Sequence, residues 1–233
     1  MTTPSSRHAI YWTPAADSAL WRFGARWLGR DPATGAETPP GDGADADPAW
    51  LATVTAEPRR YGLHATLKPP FRLADGRARS ELVGALETTA ARLAPVTGPN
   101  LTLRRLGRFL ALVPDGPAPA IRALAATLVA ELDGFRAPPD AAELTRRRAH
   151  RLSAAQDANL ERWGYPYVMD EFRFHVTLSG SLESAALDRL EALLRPRVAP
   201  FTAAPLAITE LALFEQDAAD QPFRLTLRVA LRG

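Results

Sequence analysis

The phrase His-x-Thr-Leu occurs twice in this chain, in "YGLHATLKPPF" around His64 and in "FRFHVTLSGSL" around His175. Both copies sit in apolar, strand-like surroundings, and the elements that follow them repeat in the same order. The strand through His64 precedes an amphipathic helix at roughly 77–93 and two strands, "LTLRRL" and "RFLALVP", joined through Gly107. The strand through His175 precedes a helix near 183–195 and two strands, "APLAITELALFE" and "FRLTLRVAL". The copies stand 111 residues apart, too long a period for a solenoid and the spacing of a duplicated lobe. The pattern predicts an α+β fold: one bilobal domain over 1–233, with pseudo-two-fold duplicated β/α lobes at about 7–115 and 116–233. Two antiparallel sheets flank a central cleft in that arrangement, with helices on their outer faces.

The rest of the chain fits around this frame. "RHAIYW" (Arg7 to Trp12) reads as a strand, and Thr13 followed by Pro14 suits the N-cap and first position of a helix that stops near Gly29. Residues 30–48 hold glycine, proline and aspartate with almost no large apolar side chain, so a flexible, structureless loop is expected there. A helix at roughly 118–133 and an arginine-rich helical stretch near 141–162 complete the reading.

Alternation along a strand puts residues two apart on one face. His64 and Thr66 therefore point together, as do His175 and Thr177, and the same rule adds Arg60, Gly62 and Lys68 to the first face and Arg173 to the second. Charged groups are almost never buried unpaired, so these are cleft faces. Leu63, Ala65 and Leu67 on one strand, and Phe172, Phe174, Val176 and Leu178 on the other, form the core faces. Lys68 is the only lysine in the chain. Tyr11, on a face with Arg7 and Ala9, is a candidate for a phosphate or sugar contact, and the series Trp163, Tyr165 and Tyr167 for stacking on a ring. "TRRRAHR" at 145–151 reads as a solvated helix face, with a phosphate-binding cluster as the alternative, and His8 and His150, which have no partner motif, as structural or solvent-facing residues.

"HATL" at 64–67 and "HVTL" at 175–178 resemble the paired signatures of the two-histidine (2H) phosphoesterase superfamily. "LWRFGARWLGRD", "YGLHATLKPPF" and "WGYPYVMDEFRFHVTLSG" are similar to its phosphonate-metabolism-associated branch. The resemblance covers most of the chain. It implies a bilobal fold with the motifs facing across a cleft, and metal-independent hydrolysis or transesterification of phosphate esters, often cyclic ones. The opening "RHAIYWTP" departs from the tyrosine-bearing start of that branch.

The residues suit such chemistry. Opening a cyclic phosphodiester needs a base for the attacking water and an acid for the departing alkoxide, and two imidazoles with ordinary pKa near 6.5 can divide that labour. The hydroxyls of Thr66 and Thr177 can donate to non-bridging oxygens, while Lys68, Arg60, Arg173, Tyr11 and Tyr167 are the candidate substrate contacts. Which histidine is the acid stays open. With no cysteine in the chain, thiolate metal sites and a cysteine nucleophile are excluded, and two dispersed histidines offer too few ligands for a metal, so neither metal nor cofactor is expected. The expected partner is a small phosphorylated substrate, a cyclic phosphodiester of a sugar or nucleotide. The formal charge of +2 does not suggest a dedicated nucleic-acid binder. No apolar run is long enough to span a bilayer and the N-terminus lacks a signal-peptide pattern, so a cytoplasmic, membrane-free protein is expected. Two other functions fit the same residues: RNA-end processing at 2′,3′-cyclic termini, and a non-catalytic module that binds a phosphorylated ligand.

Overall fold

In the computed structural model, which describes residues 6–41, 45–149 and 151–233, the strands form two four-stranded antiparallel sheets. The first runs, in order across the sheet, β2 (Ala65–Phe71), β1 (Arg7–Trp12), β7 (Glu210–Gln216) and β8 (Arg224–Ala230). The second runs β5 (Val176–Thr177), β4 (Phe109–Pro114), β3 (Val96–Leu106) and β6 (Pro205–Ile208). The α+β class and the two antiparallel sheets agree with the sequence reading, and each His-x-Thr phrase opens an edge strand. His64 and His175 themselves stand just before those strands rather than inside them.

Each sheet takes strands from both halves of the chain: the β3–β4 hairpin of the first half pairs with β5, and β7 and β8 of the second half extend the sheet that carries β2. β5 is two residues long and bonds to the six-residue strand β4. "APLAITELALFE", one strand on the sequence reading, is likewise divided at Thr209, with β6 bonded to β3 in one sheet and β7 to β1 in the other.

The helices cover the sheets. α1 (Ala19–Leu28) starts later than Thr13: Ser18 is its N-cap, accepting from the Trp21 N–H at 3.1 Å, and it ends at Gly29 in the left-handed conformation. Thr13 instead donates its hydroxyl to the Leu63 carbonyl at 2.7 Å, which ties β1 to the segment entering His64. Residues 30–41 are not structureless. Arg30 bridges to Glu37, the Asp31 carboxylate accepts from the Ala33 N–H at 2.8 Å, and the Leu225 N–H donates to the Pro32 carbonyl at 2.9 Å. Two short helices that the sequence reading omits follow, α2 (Pro48–Val54), capped by Asp47, and α3 (Ala56–Arg59).

α4 (Arg79–Arg92), α5 (Pro119–Glu131) and α8 (Ser184–Val198) lie where periodicity puts them. The arginine-rich stretch is two helices, α6 (Ala141–Arg148) and α7 (Ala154–Trp163), because Ser153 and Gln156 form a capping box that starts the second one. His150 lies outside the described residues. Leu63, Ala65 and Leu67 join Phe174, Val176 and Leu178 in one buried core with Trp12, Trp27 and the apolar faces of α4, α5 and α8. Phe172 is half-buried against it. Gly24 of α1 is needed at this contact, since a Cβ there would fall 2.5 Å from the Leu63 Cβ. No helix among the described residues is long and apolar enough to cross a membrane.

Candidate active site

His64 and His175 line one cleft of about 460 Å³, together with Thr66, Thr177 and Tyr11. The two imidazoles are held in the same way. The Nδ1–H of His64 donates to the Gly62 carbonyl at 2.8 Å, and that of His175 donates to the Arg173 carbonyl at 2.8 Å, in each case two residues back. A carbonyl only accepts, so Nδ1 carries the proton and Nε2 is the nitrogen left for chemistry. Backbone conformation prepares the first of these contacts. Gly62 has φ +76°, and a Cβ there would lie 2.6 Å from the Pro32 ring, so the ordered 30–41 segment buttresses the turn that holds His64.

The surroundings of the two histidines differ. Tyr11 stacks on the His64 ring with centroids 4.1 Å apart, and Tyr61 lies 5.5 Å away on a tilt. Burial in this aromatic box lowers the His64 pKa to about 4, opposed by the Gly62 hydrogen bond and reinforced by the nearby charge of His175. His175 has one ring neighbour among the described residues, Phe109 at 6.0 Å. The Tyr11 hydroxyl is buried, with its pKa raised by desolvation and by Tyr61 and Tyr165, so it remains a neutral donor beside Thr66.

Of the expected substrate contacts, Tyr11 reaches the cleft and Lys68, Arg60, Arg173 and Tyr167 do not. Lys68 is turned away by register slips on both sides of it. One step from Tyr11 to Ile10 on β1 answers two from Thr66 to Lys68, and two steps from Ile10 to His8 answer three from Lys68 to Phe71. Its ammonium group lies buried under α5, donating to the Val129 carbonyl at 3.1 Å and 5.1 Å from the Phe71 ring centre. Burial lowers its pKa to about 8, against the attraction of Asp133. Arg60 follows α3 rather than a strand and donates to the Ala219 carbonyl at 2.6 Å. Arg173 has an exposed side chain, and its contribution is the carbonyl that holds His175. Tyr167 is 45% exposed, packed edge-on against Tyr165, and it is Tyr165 that lines the cleft. Trp163 stays outside, beneath the Arg162 guanidinium.

The cleft also contains residues outside the expected site set: Glu57, Tyr61, Phe109, Arg147, Ser179 and Ser181. Ser179 stands four residues after His175, as Lys68 does after His64, and period-two counting could have found it. Its buried hydroxyl accepts from the Leu110 N–H and donates to the Gly180 carbonyl, both at 3.0 Å. Arg147, read as part of a solvated face, pairs with Glu143 at 2.8 Å and lies 4.7 Å over the Tyr165 ring. His8 is buried away from the cleft, its Nδ1 2.9 Å from the Glu215 carboxylate. Among the described residues, no three His, Asp or Glu side chains gather where they could hold a metal ion.

The profile of the family described as "Protein of unknown function (DUF1045)" matches residues 66–224. The chain belongs to the DUF1045 family. The DUF1045 match includes Thr66, His175 and Thr177. Two curated relatives are each called "Ribose 1,5-bisphosphate phosphokinase PhnN". The protein from Janthinobacterium sp. (strain Marseille) is 36% identical over 98% of this chain and 51% of its own length. The one from Laribacter hongkongensis (strain HLHK9) is 35% identical over 94% of this chain and 50% of its own. This DUF1045 chain thus spans about half the length of the curated relatives it matches. Its fold is similar to that of E. coli LigT, solved in complex with 3′-AMP, at 16% identity and a TM-score of 0.44 over 98% of this chain and 99% of that one.

Proposed function

We propose that this protein is a metal-independent phosphoesterase that opens a small cyclic phosphodiester of a sugar or nucleotide, in phosphonate breakdown. The observation that carries the reading is the matched pair of imidazoles in one cleft, each with Nδ1 tied to the carbonyl two residues back and Nε2 left free. His64, neutral near pH 7 because of its burial, is the base: its Nε2 takes a proton from water as the water oxygen bonds to phosphorus. The bond from phosphorus to one ester oxygen breaks, and the Nε2–H of protonated His175 delivers a proton to that alkoxide. The product is a phosphomonoester with a free hydroxyl, and solvent restores the two protonation states. Thr66 and Thr177 donate to the non-bridging oxygens, where charge builds up in the transition state.

The phosphokinase of the relatives' name does not suit this chain's residues. A phosphate-cradling loop needs Gly-Lys-Ser/Thr, whereas the one lysine here follows Leu67, precedes Pro69 and is buried against Val129. The sugar phosphate in that name does suit the substrate class. The test is turnover of cyclic phosphodiesters, ribose-based and nucleoside 2′,3′-cyclic species included, by wild type, His64→Ala and His175→Ala. Each variant should lose about a hundredfold or more in kcat, and the double variant far less than the product of the two losses, because the pair acts as a unit. Wild-type activity should survive exhaustive chelation. Ligand binding without turnover would make the protein a binding module, and turnover confined to RNA ends would make it an RNA-processing enzyme.

A further inference from the structure

A second cavity of about 420 Å³ adjoins the histidine cleft, with Arg7 and Pro70 lining both. Its other walls carry Arg72, Arg136 and Arg146, and its one carboxylate is Glu143. The charges do not cancel. Arg136 is held by Asp133 at 2.8 Å and Arg72 faces Asp140 at 3.5 Å. Glu143 is engaged by Arg147 at 2.8 Å, so it is already neutralised from the cleft side. Arg7 donates to the uncharged amide of Gln216 at 2.7 Å, and Arg146, exposed on α6, forms no ion pair among the described residues. Two guanidinium groups therefore face this cavity with their charge uncompensated, and a cavity lined in this way concentrates anions.

The catalytic cleft is poorer in free cations. Of its arginines, Arg7 stands on the border with the second cavity, and Arg147 is already paired and stacked. Lys68, which the sequence placed here, is buried elsewhere. A ligand bearing more than one phosphate would thus find its neutralising charge next to the histidines rather than between them. Guanidinium forks match phosphate oxygens in geometry as well as in charge.

We infer that the arginine-lined cavity is a second anion subsite, which takes a phosphate of the ligand whose cyclic phosphodiester lies between His64 and His175. The substrate is then a phosphorylated sugar that carries a further phosphomonoester beside its cyclic phosphate. Calling the cavity a substrate subsite rests on the phosphoesterase reading, but its test reads binding alone. Fructose 1,6-bisphosphate and fructose 6-phosphate are titrated by calorimetry into the full chain and into Arg146→Gln and Arg72→Gln, neither of which is placed in the catalytic cleft. The bisphosphate should bind wild type about tenfold or more tighter, the value of one well-formed charge-assisted contact, and that advantage should shrink to less than about threefold in the variants. Equal affinities in wild type, or an advantage that survives both substitutions, would overturn the inference. If the advantage behaves as expected but no cyclic diester is opened, the subsite stands and the phosphoesterase reading falls.

Discussion

Tyr11 lies stacked on His64, ring centroids 4.1 Å apart and planes inclined by 30°. The tyrosine covers one face of the imidazole and so contributes to the burial that lowers the His64 pKa to about 4. Tyr11→Ala should move the His64 pKa upward toward the ordinary value, and Tyr11→Phe, which keeps the ring, should leave it nearly in place. Titration of the imidazole C–H resonances by NMR reads this directly. In the kinetic profile, the acid limb of kcat/KM for wild type should fall near pH 4, because the base is lost below its free-enzyme pKa. The limb should move up in Tyr11→Ala.

Thr66 and Thr177 are the matched hydroxyls of the two motifs, and both line the cleft. Thr66→Val and Thr177→Val each delete one donor to developing negative charge while keeping the side-chain shape. Each should lower kcat by roughly ten- to a thousandfold and change KM by much less. A loss confined to KM would mean that the hydroxyls bind the ground state and do nothing more in the transition state.

Gly62 holds φ +76°, and its carbonyl accepts the Nδ1–H of His64. Gly62→Ala puts a Cβ against Pro32 in a conformation that L-residues seldom adopt, so the turn must shift and the imidazole with it. Turnover should fall by about a hundredfold, as for a misplaced catalytic group. Arg173→Ala, which leaves the equivalent carbonyl in place beside His175, should keep most of its activity. Parallel steady-state assays of the two variants distinguish a backbone role from a side-chain role.

Glu215 is tied to His8 and Arg79. Desolvation raises its pKa, but the close contacts of His8 and Arg79 outweigh this and hold it at about 2. A carboxylate depressed in the folded state adds stability that is present above its unfolded pKa, about 4.3, and is lost as pH falls through the folded value. Glu215→Gln should therefore lower Tm at pH 7, and the difference from wild type should shrink between about pH 4.5 and pH 2. Thermal unfolding across that range measures it.

The residues that local pattern reveals are those whose role depends on their near neighbours in the chain. His64 with Thr66 and His175 with Thr177 are visible because a strand repeats every two residues. The apolar faces Leu63–Ala65–Leu67 and Phe174–Val176–Leu178 are visible for the same reason, and so is the stop of α1 at Gly29, since a left-handed residue there favours glycine. Other features depend on partners far along the chain. Lys68 leaves the cleft face because β1 slips register against β2, a property of the pair that neither strand displays alone. Each sheet joins strands from both halves of the chain, since β5 bonds to β4, and β2 to β1, which bonds in turn to β7 near the chain's other end. The cavity of Arg7, Arg72, Arg136 and Arg146 joins four separated segments, whose charges meet only after the sheets have packed. Periodicity records which way a side chain points on its own element; hydrogen-bond register and long-range packing set what it finally faces.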